Sequence, residues 1–327
     1  MRAWQVKELG DPKIALSLED LEDPTPGTGE AIVDVEAAAL NFFDILLCRG
    51  EYQERPELPF TPGAEVAGTV SDAGDTGLDV GTRVISTPPL PRGGFAEKVP
   101  VQEAAVYQIP DGMPFEDAAA LHIVYQTAYF GLHRRATLRE GETVLVHAGA
   151  GGVGSAAIQL ARSAGARVFA TAGGEEKVEV CQELGADVVV NYREDNFVDV
   201  VKEETGGRGA DVIFDPVGGD IFDGSRRCVA FEGRIVVVGF AGGRIPEAPA
   251  NHLLVKNYSV LGLHWGLYGK MMPHLIRETH EELVNLYTAG DIKPLIYESV
   301  PFEELPDALE RLGSRGTYGK LVTLPGA

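Results

Sequence analysis

The sequence predicts an α/β protein in which a doubly wound parallel sheet is inserted into a small β-barrel-like domain. Three observations predict it. Strand-like and helix-like segments alternate from Thr143 to Phe240. The first third of the chain is made almost entirely of short strands. A Gly-x-Gly-x-x-Gly pattern, Gly149, Gly151 and Gly154, stands between the first strand and the first helix of the alternating region. A chain of 327 residues is also too long for one comfortable core, which favours two domains.

Taken in order, residues 1–9 and 14–22 read as strands, and 30–40 alternates apolar and polar at period two before becoming helical. Glycine and proline punctuate residues 49–70, and further short strands follow at 81–87 and 94–101. Little helix and many turns suit an irregular barrel. Residues 115–136 are helical by periodicity. The alternation then runs strand 143–148, helix 154–166, strand 167–173, helix 175–186, strand 188–192, helix 197–206, strand 211–217, helix 221–231 and strand 234–240. Consecutive βαβ units of this length make a parallel sheet. After SVLGLHWG at 259–266 the chain is helical over 273–290 and closes with a strand, a helix and a strand, GKLVTL. That tail is too short to be a domain of its own. The expected division is therefore 1–122 with 265–327 as one discontinuous domain, and 123–264 as the insertion.

Composition excludes several classes. Apolar residues are 44 % and charged residues 24 %, ordinary for a globular chain. Lys and Arg number 28 against 49 Asp and Glu, a net charge of −21. This field repels nucleic acid and anionic membrane surfaces. No apolar run approaches a membrane span, and MRAWQVKELGDP has no signal-peptide character, so a cytoplasmic protein is expected. The cysteines, Cys48, Cys181 and Cys228, are far apart and form no CxxC pair. Neither a disulfide framework nor a cysteine-rich zinc site is expected.

The glycine loop carries the sharpest chemistry. It follows an apolar strand, Val144-Leu145-Val146, and opens a helix, the context that dinucleotide binding requires. Gly149 permits the turn, Gly151 lets a pyrophosphate approach backbone N–H groups, and Gly154 lets helix and strand pack closely. The helix dipole favours the anion. This is the signature of a Rossmann domain. In the NAD form an acid ends the second strand and binds the ribose 2′-hydroxyl. Here that strand ends Thr171-Ala172-Gly173-Gly174, with no acid. The missing acid leaves room for a 2′-phosphate, so NADPH is the expected cofactor. Lys177, one helical turn on, supplies a cation, and Tyr192, at the end of the third strand, a phenolic donor. Glu175 and Glu176 must then point away.

Asn41-Phe42-Phe43-Asp44, Pro59-Phe60-Thr61-Pro62-Gly63, the loop at 147–154, TAGGEEK at 171–177, NYRE at 191–194, VVVGFAGG at 236–243, LLVKN at 253–257 and GLHWG at 262–266 together carry a resemblance over essentially the whole chain. It resembles the quinone oxidoreductase (zeta-crystallin-like) branch of the medium-chain dehydrogenases/reductases. The resemblance implies a GroES-like catalytic domain interrupted by the Rossmann domain, and a dimer pairing the cofactor domains edge to edge. Zinc alcohol dehydrogenases of the superfamily carry a catalytic Cys and a Gly-His-Glu motif. The corresponding segments here resemble Asn41–Asp44 and Gly63-Ala64-Glu65, without the Cys or His ligand, and the four-cysteine lobe is missing. No metal is expected.

Carried over by resemblance, Tyr52 and Thr127 lie near the nicotinamide and its carboxamide, and Asn41 in the same cleft. Ala150, Gly151, Gly152 and Val153 hold the pyrophosphate, and Gly173, Lys177 and Tyr192 the 2′-phosphate. Val238, Gly239 and Phe240 flank the nicotinamide, and Leu263, His264 and Trp265 stand at the domain junction. For catalysis, without zinc, hydrogen-bond donors must stabilise the developing oxyanion. Tyr52 and Asn41 are the assigned catalytic residues; cofactor packing is the competing role for Tyr52, and a structural cap for Asp44. His264 is the strongest histidine candidate. Phe42, Phe43 and Phe60 are expected in the core, or one of them walling the substrate. The expected reaction is NADPH-dependent reduction of a quinone. Reduction of an activated C=C bond in an enone, haloacrylate or enoyl thioester is the alternative. A structural or RNA-binding use of the fold is the non-enzymatic one. The expected partners are a small conjugated carbonyl substrate and a second copy of the chain, with no nucleic acid and no membrane.

Overall fold

The computed structural model describes residues 1–326 and divides into two compact units, one from Met1 to Ile123 joined by the segment from Pro294 onward, the other from Val124 to Lys293. In the first unit β1 (Arg2–Val6) pairs antiparallel with β2 (Leu16–Asp20). The strands β3 (Glu30–Ala39), β4 (Val66–Asp72), β5 (Arg83–Ser86), β6 (Lys98–Gln102) and β7 (Val106–Gln108) come next. Most of β3 is buried, because it pairs with both β4 and β6 and packs Val33 and Val35 into a core with Phe60, Val66, Phe95 and Val99. The eight-residue helix Phe42–Arg49 leaves the end of β3 and stops at Gly50, whose φ of 68° is a left-handed C-cap.

The second unit holds six parallel strands, β8 (Thr143–Val146), β9 (Arg167–Ala172), β10 (Val188–Asn191), β11 (Ala210–Asp215), β12 (Val229–Val237) and β13 (Ser259–Gly262). Their order is β10-β9-β8-β11-β12-β13, with the reversal of a doubly wound sheet between β8 and β11. Helices at Gly152–Ser163, Glu175–Glu183, Phe197–Glu204 and Gly219–Cys228 make the crossovers. Every residue of β8 is buried, as in a strand covered on both faces. The chain then supplies β14 (Ile296–Pro301) and β15 (Lys320–Leu324) to the first unit, where β15 pairs with β3 in a seven-stranded sheet.

The second boundary departs from the expected one. Residues 265–293 group with the parallel-sheet unit, not with the first. The long helix Phe115–Tyr129 runs on as a π-helical turn, Phe130–Arg135, and this segment captures the helices that come after β13. The Phe130 ring meets Tyr268 at 4.6 Å between centroids, and Gln126 Nε2 donates to Ile276 O at 2.8 Å. Helix Pro273–Ala289 buries Ile276 and Leu283. Its amphipathic pattern announces a helix but not the unit it packs on. Among the described residues no helix is long and apolar enough to cross a membrane.

Candidate active site

In the parallel-sheet unit the expected cofactor residues gather at the carboxyl ends of the strands, where doubly wound sheets take ligands. Ala150, Gly151, Gly152 and Val153 follow β8; Gly173 follows β9; Tyr192 follows β10; Val238, Gly239 and Phe240 follow β12; Leu263, His264 and Trp265 follow β13. Lys177 is half-buried on helix Glu175–Glu183, and Thr127 is buried on the long helix of residues 115–129. Helix Gly152–Ser163 begins at Gly151 without a capping side chain. Its first N–H groups, with the positive end of the dipole, are what a pyrophosphate requires. Gly154 is obligatory: a Cβ there would lie 2.2 Å from Ala148 O.

The loop is anchored from beneath by His147, fully buried between β9 and helix Gly219–Cys228. Nδ1 lies 3.1 Å from Thr171 Oγ1 and Nε2 2.8 Å from Ser225 Oγ. The Ser225 hydroxyl donates to Ile221 O, so it must accept from His147, which fixes the proton on Nε2. Thr171 then donates to Nδ1 while accepting the Ala148 N–H. Burial depresses the imidazole pKa to about 3, so the ring is neutral. Its role is structural.

At the ribose end, a Cβ on Gly173 would meet the Tyr192 phenol at 2.3 Å, so only glycine lets the tyrosine lie over the strand end. Gly174, with φ 97°, donates its N–H to Asn191 Oδ1. Glu175 and Glu176 are exposed on the first helical turn. The sequence reading missed Arg193: its Nη1 lies 3.1 Å from where a Cβ on Gly174 would be. It stands beside Tyr192 in NYRE, which was the available signal. The loops after β11 and β12 are zipped together, Val238 N to Asp215 O, Ala241 N to Pro216 O and Gly242 N to Val217 O. Asp215 Oδ1 accepts from Val217 N and Gly218 N, and burial raises its pKa. Phe240 is exposed, Leu263 is buried, and His264 is the exposed N-cap of helix Trp265–Met271.

The first unit contains the two assigned catalytic residues, in different circumstances. Tyr52 is half-buried, its ring edge-on to Phe43 at 4.5 Å between centroids, and burial raises its phenol pKa. It is a neutral donor. Phe60 is in the core, whereas Phe42, which opens its helix, is 43 % exposed and so is not a core residue. Asn41 is the N-cap of that helix, and its main-chain N–H donates to Asp44 Oδ2 at 2.8 Å. Asp44 Oδ1 accepts from Gly63 N. Asp44 is fully buried, which raises its pKa to about 7. It acts as the cap, the structural role foreseen for it.

The Asn41 side chain is engaged on both sides. Nδ2 donates to Glu65 Oε1 at 2.9 Å and to Ala39 O at 3.3 Å, while Oδ1 accepts from Lys320 Nζ at 2.6 Å. Lys320 Nζ also lies 2.8 Å from Glu65 Oε1, and Glu65 Oε2 accepts the Ile123 N–H. Glu65 and Lys320 are 0 % and 4 % exposed. Lys320 was not singled out from the sequence, and Glu65 only as part of Gly63-Ala64-Glu65. This cluster does not fit a zinc ion. An ammonium already sits on the Asn41 oxygen, and among the described residues no three His, Cys, Asp or Glu side chains are grouped to hold a metal.

Residues 27–111 match the family described as alcohol dehydrogenase GroES-like domain, and residues 152–283 the family described as zinc-binding dehydrogenase. A quinone oxidoreductase-like protein 2 homologue of Nematostella vectensis is 42 % identical, covering 98 % of this chain and 88 % of its own. The human quinone oxidoreductase is 32 % identical over 99 % and 98 %. Among solved structures, the Escherichia coli quinone oxidoreductase complexed with NADPH superposes with a TM-score of 0.91 at 30 % identity, covering 99 % of this chain and 100 % of that one. The GroES-like unit, the Rossmann unit and these whole-length likenesses place the chain in the quinone oxidoreductase family of the medium-chain dehydrogenases/reductases, on a branch without the zinc ligands.

Proposed function

We propose that the protein is an NADPH-dependent reductase that passes hydride to a quinone. The observation that carries this reading is the strand end Ala172-Gly173-Gly174. It has no acid for a ribose 2′-hydroxyl and is instead overlain by Tyr192 with Arg193 beside it. NADPH, when bound, supplies the hydride. The chain's own part is binding, orientation and charge. N–H groups at Gly152 and Val153, at the helix start beyond the Gly151 N-cap, hold the pyrophosphate. Lys177, Arg193 and the Tyr192 hydroxyl take the 2′-phosphate, where Arg193 offers a planar fork. Val238–Phe240, Leu263–Trp265 and Thr127 are assigned to the nicotinamide side. Tyr52 is assigned the hydrogen bond to the acceptor oxygen as it gains negative charge. Quinone, hydride and one proton from water make the hydroquinone, so electrons and protons balance without a metal.

Reduction of an activated C=C bond is the second reading. It draws support from likeness to the CurK enoyl reductase structure, with a TM-score of 0.88 at 29 % identity. The same donors would then face an enolate oxygen. We further propose a cytoplasmic homodimer. β13 is an edge strand of the parallel sheet, and Leu254, Val255 and Phe231 are exposed in the same unit. The test is titration with NADPH and NADH, followed by kcat/KM over quinones, 2-alkenals and haloacrylates. Tight NADPH binding with quinones preferred supports the first reading. Alkenal preference moves it to the second, and equal affinity for both nucleotides overturns the cofactor assignment.

A further inference from the structure

Two full charges, Lys320 and Glu65, are buried in the first unit, and nothing in the proposed reaction uses them. Burying an ion pair is weak evidence of stabilisation, since apolar residues of the same volume commonly serve the fold as well. What distinguishes this pair is the third member. Asn41 Nδ2 donates to Glu65 Oε1, Lys320 Nζ donates to the same oxygen, and Lys320 Nζ donates to Asn41 Oδ1, closing a ring. A primary amide can ordinarily turn over and exchange its oxygen and nitrogen. Here a flip would put the amide oxygen against the carboxylate and the NH₂ group against the ammonium. Both charge-assisted bonds would become repulsive contacts. The main chain of Asn41 is fixed as well, by Asp44 Oδ2.

We propose that Lys320 is a positioning residue, whose ammonium, countered by Glu65, locks the Asn41 amide in one orientation, its oxygen on Lys320 and its N–H groups on Glu65 and the Ala39 carbonyl. The inference rests on the reductase reading given above. Of the two Asn41 N–H bonds, the one to Ala39 O is long, at 3.3 Å, and is the one that can be exchanged for an acceptor oxygen. Asn41 is only half-buried, unlike its two charged partners. A cation on its carbonyl polarises the amide and strengthens that N–H as a donor. A flipped amide would present an oxygen to the developing oxyanion and oppose the reaction. The positive charge that a metal would bring to such a site is thus carried by a side chain one amide away.

The test separates this role from a structural one. Lys320→Met leaves Glu65 buried and unpaired, so it is expected to lower the unfolding temperature. Glu65→Gln with Lys320→Met removes both charges and is expected to recover most of that stability. The proposal requires that kcat with the best quinone of the panel fall at least thirtyfold in Lys320→Met and remain at least tenfold down in the double variant. KM and Kd for NADPH should stay within twofold of wild type, and Lys320→Arg should recover activity to within about fivefold. A second readout is independent of turnover. In protein labelled with ¹⁵N-asparagine, the Asn41 side-chain NH₂ signal, assigned with Asn41→Ala, should be slow to exchange in wild type and lose that protection in the double variant. Recovery of kcat together with stability, or an Asn41 signal unchanged without Lys320, overturns the proposal. Failure of wild type to bind NADPH overturns the reductase reading instead, and the amide signal then decides the lock by itself.

Discussion

His147 offers a test whose size is set by the ordinary pKa of an imidazole. In the unfolded chain an imidazole titrates near pH 6.5. In the folded chain burial holds its pKa at about 3, with both ring nitrogens engaged by Thr171 and Ser225. A folded-state pKa below the unfolded one contributes stability that is present above pH 6.5 and is lost as pH falls toward the folded value. At pH 5 the folded ring is still neutral and the unfolded one is charged. The loss relative to pH 8 is therefore about 1.36 × 1.5, or roughly 2 kcal/mol. With the folded ring neutral across this range, the unfolded imidazole alone sets the figure. The measurement is urea unfolding of wild type and His147→Gln at pH 8 and pH 5, monitored by a probe in the parallel-sheet unit. His147→Gln destabilises at both pH values through lost hydrogen bonds, roughly 1–3 kcal/mol at pH 8, but carries no proton-linked change. The gap between the two proteins should shrink by about 2 kcal/mol on going to pH 5. A gap that is constant with pH would mean the ring is charged, or accessible to protons, in the folded state. The tautomer assignment and the anchoring of Ala148 would fall with it.

Lys177→Ala and Arg193→Ala should each raise the NADPH Kd roughly three- to tenfold, as exposed charge-assisted contacts do, and leave NADH unchanged. Titration calorimetry with both nucleotides checks this, and equal losses for the two would remove the 2′-phosphate from the assignment. Asp44 has a folded pKa near 7 against an ordinary 3.8, so its contribution is present at low pH and fades as pH rises through 7. Between pH 6 and pH 8 wild type should lose about 1.4 kcal/mol more stability than Asp44→Asn, read from paired denaturation curves; parallel pH profiles would contradict it. Prolonged dialysis against a chelator should leave turnover unchanged and metal analysis should find no stoichiometric zinc, whereas one tightly held zinc per chain would overturn the donor-set argument.

The features legible in the sequence were local ones. The strand–helix alternation, the glycine loop and the acid-free strand end are each built from short neighbouring segments. In each, the physics of the segment, meaning period, turn and helix terminus, dictates the structure. The second boundary was not legible, because helix Pro273–Ala289 is amphipathic whichever unit it packs on. Contacts from residues far back along the chain, among them Gln126 and Phe130, decide the matter. The Asn41 ring was hidden for the same reason: Lys320 lies 279 positions from Asn41 and 255 from Glu65. In GKLVTL it reads as an ordinary strand lysine.

Distance in sequence also explains why the absence of zinc ligands says little by itself about how a metal-free site would work. Without a cysteine and a histidine the site has no metal cation, while its side chains stand on β3, the helix after it and the Gly63 turn. A fold of this kind hosts different chemistries by changing a few side chains on fixed elements. Here the exchange is of a specific kind. An asparagine that cannot ligate zinc tightly is held by a lysine that zinc would repel, and the lysine is tolerated only because Glu65 is there to pair with it. The three residues are thus mutually dependent. Replacing Asn41 alone by cysteine should not restore metal binding, since Lys320 would remain as a like charge beside the new thiolate's metal. Zinc uptake by Asn41→Cys comparable to that of Asn41→Cys with Ala64→His and Lys320→Met would show that the ammonium does not govern the electrostatics of this corner.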